Sequence, residues 1–320
     1  MLFFKPEGQL IDTPQNRAML RCSATLQEAF LAGKVLEARA VICDSEHNLI
    51  VDLGFCRGVI PREECAIGIR DGSTRDIAII SRVNKPVCFT ITDIGRDIHG
   101  SLAPVLSRRM VQEQCLAQYI GSLRCGDIID CRVTHLEPFG CFVDIGCGIA
   151  SLIPIDCISI SRISHPSDRF RVGQDIRAVV KAIEPGGRIS LSHKELLGSW
   201  EENAAHFCCG QTVAGTVRSV EEYGIFVELT PNLAGLAEPK EGVVPGQQAS
   251  VYIKNLIPEK MKVKLIIVDS FDAAYQTTAP EYYITGGHID RWRYSPACSP
   301  RIIETVFSEQ EEAAETIAAI

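Results

Sequence analysis

Short runs of alternating apolar and polar residues dominate the chain. Between Asp127 and His135 the apolar side chains Ile129, Cys131 and Val133 fall on every second residue, which is the period of a strand with one buried face. Pro138 ends that run. In residues 139–146, Cys141, Val143 and Ile145 share one face while Phe142 and Asp144 share the other, so both of the latter are expected to face outward. Residues 149–153 give a third run, stopped at Pro154. After a polar loop over 159–168, Ile176, Ala178 and Val180 mark a fourth. Gly186-Gly187 then turns the chain into a fifth, residues 188–192. Five short strands with one longer loop between the third and fourth predict a small closed barrel of the oligonucleotide-binding type.

The pattern repeats. Phe139-Gly140-Cys141-Phe142-Val143-Asp144-Ile145 returns 84 residues later (223 − 139) as Tyr223-Gly224-Ile225-Phe226-Val227-Glu228-Leu229. Gly126 pairs with Gly210 and Val133 with Val217 at the same offset, whereas Gly173 pairs with Gly246 at 73, so the second copy has a shorter third-to-fourth loop. A weaker copy precedes them. Val51-Asp52-Leu53-Gly54 parallels Val143-Asp144-Ile145-Gly146, but His47 and Ile50 stand where Phe139 and Phe142 stand. Internal repetition of this kind fixes the architecture as an array of like units.

Helical spacing appears between and around the units. Val111, Cys115, Tyr119 and Leu123 recur every four residues, and Leu196, Trp200, Ala204 and Phe207 do nearly the same after the middle unit. Thr13-Pro14 reads as the cap and first turn of an N-terminal helix. Residues 302–320 also carry helical spacing with acidic residues on the other face. The expected organisation is an N-terminal helical extension (1–32), barrels at 33–121, 122–195 and 208–270, a helical linker (196–207) and an acidic C-terminal extension (271–320).

Composition changes this picture in two places. The formal net charge is −8, which is unusual for a nucleic-acid partner. The excess is localised: residues 122–195 hold 9 basic and 9 acidic side chains and residues 208–270 hold 6 and 7, but residues 271–320 hold 3 and 8. Near-neutral barrels can still carry a local basic row. Fourteen cysteines in a long chain without paired spacing read as small apolar residues, not as a disulfide framework. Cys131, Cys141, Cys147 and Cys157 lack a C-x-x-C spacing and are expected to pack rather than bind metal. The opening residues lack the long apolar stretch of a secretory signal, so a cytoplasmic protein is expected. No apolar run is long enough to span a bilayer.

The middle unit resembles the S1 RNA-binding domain, the repeated module of bacterial ribosomal S1 proteins. The residues that carry the resemblance are Gly126-Asp127, Val133, Phe139-Gly140-Cys141-Phe142-Val143-Asp144, Val172-Gly173-Gln174 and Gly187-Arg188-Ile189-Ser190-Leu191-Ser192. The junction Lys194-Glu195-Leu196-Leu197-Gly198-Ser199-Trp200-Glu201 resembles a linker between such repeats, and the third unit is similar. The resemblance implies an all-β protein with helical linkers, built of tandem five-stranded OB-fold barrels of the S1 type. It also implies a binding face formed by Phe139, Phe142, Glu184 and Arg188 in the middle unit and by Tyr223, Phe226 and Lys262 in the third. Proline stands at Pro154, and Glu238 in the third unit, where the family has a histidine. Such a face stacks bases on aromatic rings and neutralises the backbone.

The expected ligand is single-stranded RNA, messenger RNA in particular, and the expected partner is the small ribosomal subunit. No enzyme activity, cofactor, small-molecule substrate or membrane is expected. A second reading is a scaffold whose barrels dock proteins; a third is an accessory RNA-binding subunit of an RNA-processing enzyme. Arg162, Arg169 and Arg171 are read as a solvated rim of the long loop, and His135, His165 and His193 as ordinary polar positions. Tyr282, Tyr283, Arg291, Trp292 and Arg293 form an aromatic–basic cluster expected to pack back on the third barrel.

Overall fold

The computed structural model describes residues 4–96, 100–273 and 279–307. Its described residues form two compact units. One runs to Leu123 and includes Asp144–Ala150; the other holds Arg124–Val143 and the chain from Ser151 onward.

In the first unit, α1 (Pro14–Met19) begins where the Thr13 hydroxyl accepts the Asn16 N–H, and α2 (Ser23–Leu31) follows. Then come β1 (Leu36–Cys43), β2 (Leu49–Asp52), β3 (Arg57–Ile60), the short α3 (Ile77–Ile80), β4 (Pro86–Arg96), β5 (Leu102–Ser107) and α4 (Arg109–Gln118). The strands close into a barrel in the order β1-β2-β3-β5-β4. Leu49, Val51, Ile60, Val87, Phe89 and Leu106 fill it.

The middle barrel is β6 (Ile128–Glu137), β7 (Gly140–Asp144), β8 (Ala150–Pro154), β9 (Asp175–Ile183) and β10 (Ile189–Ser192), closed with the same neighbours. After a 3-10 turn, Lys194–Leu197, comes α5 (Trp200–Ala204). The third barrel is β11 (Thr212–Glu221), β12 (Gly224–Thr230), β13 (Leu233–Ala237), β14 (Gln248–Ile257) and β15 (Lys262–Phe271). Alternation sets the faces: along β15, Val263, Leu265 and Ile267 are buried while Lys262, Lys264 and Ile266 are exposed. Each buried Leu or Ile of this kind contributes about 2 kcal/mol. Cys131, Cys141, Cys147 and Cys157 are all buried, as packing required.

The end of the chain departs from the expected helix. Glu304–Val306 forms a strand, β17, paired antiparallel with β16 (Arg291–Arg293). Residues 308–320 of the expected helix lie outside the described residues. The strand wins because Trp292 and Phe307 are buried in the same core, which a ribbon of period two permits. This segment returns to the middle barrel. Ile128 donates its N–H to the Gly287 carbonyl (3.0 Å), and Ile289 donates to Gly126 (2.9 Å). The Tyr282 hydroxyl accepts the Arg177 N–H (2.9 Å). The aromatic–basic cluster therefore covers the middle barrel and linker as well as the third barrel, where the Tyr294 hydroxyl reaches the Asn232 carbonyl (2.6 Å).

Candidate nucleic-acid interface

The site is built from strand register. In the third barrel Phe226 on β12 lies opposite Ser219 on β11 and opposite Leu236 on β13. Leu236 in turn lies beside Lys264 on β15. These side chains form one outward row across four strands. Tyr223 begins the adjoining step, and its ring meets Phe226 edge-on, with centroids 6.2 Å apart and planes at 86°. Tyr223 is 69% exposed. The middle barrel repeats the arrangement. Phe139 and Phe142 meet at 6.0 Å and 90°, Phe139 is 56% exposed, and Leu152 lies beside Ser190.

The glycine between the aromatics is a consequence of this packing. A Cβ on Gly140 would lie 2.5 Å from the Ile153 carbonyl oxygen, and one on Gly224 2.7 Å from that of Ala237. Glycine lets the neighbouring strand close in, and the two rings rise on either side of it. An edge-on pair is worth about 0.5–1.5 kcal/mol beyond burial, so each ring helps hold the other as a preformed platform.

The charged members are placed less evenly. Glu184 and Arg188 are both exposed and flank the turn into β10, with the Glu184 N–H donating to the Arg188 carbonyl (2.8 Å). Lys262 is exposed at the start of β15. Sequence reasoning missed Lys264, which stands level with Leu236 and Phe226, two residues beyond Lys262. Its only sequence signal is parity with Lys262. Pro154 ends β8. Glu238 carries less repulsion than its charge suggests, because Lys254 Nζ lies 3.4 Å from its carboxylate.

Three sequence expectations fail here for one reason: distant backbone or charge reaches the side chain. Asp144 is 3% exposed, not solvated like Phe142. Its carboxylate accepts the N–H groups of Glu7 (2.7 Å), Gly146 (2.8 Å) and Gly148 (3.0 Å). Burial, and then the nearby Glu7 carboxylate, push its own carboxyl well above the usual range. Glu7 itself is clasped by Arg108, at 2.6 and 3.0 Å.

Arg169 is likewise no part of a solvated rim. It is buried, with Nη2 2.5 Å from Glu228, which Arg218 also grips at 2.8 and 3.1 Å. Arg162 and Arg171 are exposed as expected. His193 is buried between Phe170 and Tyr282, hydrogen-bonded to the Ile158 carbonyl and the Tyr282 hydroxyl. Burial lowers its pKa to about 4, so it is neutral and structural.

In the first barrel the same row is aliphatic. Ile42 lies opposite Ile50, Ile50 opposite Val59, and Val59 beside Val105. His47 sits in the β1–β2 turn with φ 63°, a conformation the aromatic positions of the other barrels do not share.

No helix among the described residues is long and apolar enough to cross a membrane.

Residues 122–194 match the S1 RNA binding domain family. The small ribosomal subunit protein bS1 of Staphylococcus aureus (strain COL) is 33% identical over 259 residues, covering 76% of this chain and 63% of that protein. The bS1 protein of Leuconostoc lactis is 28% identical over 255 residues, covering 74% of this chain and 57% of that protein. The chain thus matches little more than half the length of the latter. A crystal structure of a multidomain protein with nucleic acid binding domains from Streptococcus pneumoniae aligns over 76% of each chain at 15% identity, with a TM-score of 0.25. Residues 122–194 are thus an S1 RNA-binding domain, and over 74–76% of its length the chain, with its closed five-stranded barrels, is similar to small ribosomal subunit proteins bS1.

Proposed function

We propose that this protein binds single-stranded RNA in the cytoplasm and acts in translation, on messenger RNA or at the small ribosomal subunit. It does so by binding, without chemistry of its own. The observation that carries the reading is the recurrence, on two barrels, of one edge-on aromatic pair at one register position. Core packing has no need of half-exposed rings, whereas an unpaired base offers a π-face to stack on them. Phe139 and Phe142 with Arg188 make the middle barrel the main reader, with Glu184 beside the cation. Tyr223 and Phe226 with Lys262 and Lys264 make the third barrel its assistant. Duplex RNA keeps its base faces stacked and its deep groove closed to side chains, so single strands are preferred.

The protein-docking reading draws support from the aliphatic row Ile42, Ile50, Val59 and Val105 of the first barrel. We assign that barrel to partner contact rather than RNA. The deciding experiment titrates the full chain with a fluorescent single-stranded 20-nucleotide RNA and with its duplex, across a salt series. Binding of the single strand that weakens with salt and exceeds duplex binding supports the proposal. Equal affinity for both, or none, rejects it.

A further inference from the structure

The three barrels carry an equivalent outward pair one step along from the aromatic row. Each pair sits just before the irregularity where the fourth and fifth strands shift register: Thr90 opposite Ser107, Val179 opposite Ser192, and Tyr252 opposite Ile266. In the first two barrels the pair is small and covered. Ser107, Val179 and Ser192 are fully buried and Thr90 nearly so. The cover in each case is the chain that leaves the fifth strand. α4 packs on β4, and Met110 donates its N–H to the Ser107 hydroxyl (3.0 Å). The Lys194–Leu197 turn packs on β9, with Leu196 and Trp200 in the same core as Val179.

In the third barrel the pair is large and apolar, and no described residue roofs it. Tyr252 is 38% exposed and Ile266 39%; Val268 and Phe271, farther along β15, are 56% and 52% exposed. This barrel presents at its surface an apolar strip at the position its siblings keep roofed. Lys262 and Lys264 point outward from the same strand, and the Lys254–Glu238 pair lies beside it. The strip therefore suits an acidic segment that also carries apolar residues.

The chain contains one. Residues 309–320 read Glu-Gln-Glu-Glu-Ala-Ala-Glu-Thr-Ile-Ala-Ala-Ile, with acidic residues at 309, 311, 312 and 315, no Lys or Arg, and Ala313, Ile317 and Ile320 at three- and four-residue spacing. Twelve residues cover about 18 Å as a helix and roughly 40 Å extended, and a ten-residue strand such as β15 is about 33 Å long. We propose that residues 308–320 dock on the Tyr252–Ile266–Val268 strip of the third barrel and compete with RNA for the adjoining Phe226–Lys264 row. The competition rests on the RNA-binding reading above; the docking does not.

The test uses a fluorescein-labelled peptide of residues 308–320 and the chain ended at Phe307. Anisotropy should show the peptide binding that chain, more weakly as salt rises, and at least tenfold more weakly to its Ile266→Ser/Val268→Ser variant. Both replaced side chains are exposed, and far-UV circular dichroism checks the fold; Tyr252→Ser is the second variant. In the RNA arm, ending the chain at Phe307 should tighten binding of a short single strand about three- to tenfold at low salt. The full-length serine variant should show the same gain, and truncating it should add nothing. Equal peptide binding to parent and variants, or none, overturns the proposal. So does a dimer, seen on gel filtration of the full chain, that the serine changes dissociate, because a second copy would then be the occupant. If RNA fails to bind at all, the peptide arm still decides the docking.

Discussion

Replacing Phe139 and Tyr223 by alanine separates binding from folding. Both rings are more than half exposed, so their removal gives up little buried surface; what each loses within the protein is the edge-on contact with Phe142 or Phe226. That contact is worth about 0.5–1.5 kcal/mol at most. Stacking of one base on one ring is worth about 1–3 kcal/mol, or roughly 5- to 150-fold in affinity at 1.4 kcal/mol per tenfold. Each single variant should therefore weaken RNA binding by that factor, with a melting temperature within a few degrees of the parent. If one strand spans both barrels the losses multiply, and the double variant should lose at least 25-fold, the product of the two lower bounds. The assay is fluorescence anisotropy with a 20-nucleotide strand, beside thermal denaturation. A folded double variant with unchanged affinity would refute the stacking argument. Additive losses on a long RNA that vanish on a six-nucleotide one would show that each barrel holds its own segment.

Further outcomes follow from the charged groups. Arg188→Ala, Lys262→Ala and Lys264→Ala should each lower the slope of log affinity against log salt by about 0.7, the value for one phosphate contact on a single strand; slopes equal to the parent's would assign the three to structure. Glu228→Ala leaves the buried Arg169 without the Glu228 carboxylate, beside an Arg218 that keeps Asp168 at 3.5 Å, and urea unfolding should record a loss of about 3–5 kcal/mol, with under 1 kcal/mol counting against the clasp. His193 is held neutral by burial, with its pKa lowered to about 4. The unfolded chain takes up that proton below about 6.5, so the contribution is intact above that pH and is lost as the pH falls toward 4. At 1.36 kcal/mol per unit this amounts to about 3 kcal/mol. A His193→Gln variant should therefore lose less stability than the parent between pH 6.5 and 4, and parallel curves would remove His193 as the cause.

What the sequence made legible is what depends on near neighbours. The alternation of Cys141, Val143 and Ile145 needs only the two-residue period, and the aromatic–glycine–aromatic run repeats whole, so the barrels and their paired, outward rings could be placed. Lys264 was not singled out, because its level with Phe226 is set by the parallel pairing of β13 with β15 and not by spacing. Asp144 looked exposed because parity is local, while the N–H that buries it belongs to Glu7, 137 residues away. Arg169 read as loop rim until Glu228, 59 residues on, supplied its counter-charge. The strand at Glu304–Val306 overrode helical spacing because its partner, Arg291–Arg293, lies beyond the reach of any periodicity.

The return of residues 287–289 to Gly126 and Ile128 has a consequence for synthesis. The Asp127–His288 contact spans 161 residues. At about 5–20 residues per second, the ribosome needs roughly 8–30 s to supply the second partner after the first has emerged. During that interval the apolar surface around Ile128, which in the finished protein packs in one core with Ile289 and Trp292, is open to solvent. Slow codons between positions 195 and 287 should therefore lengthen the exposure of the nascent middle barrel and raise the fraction lost to aggregation.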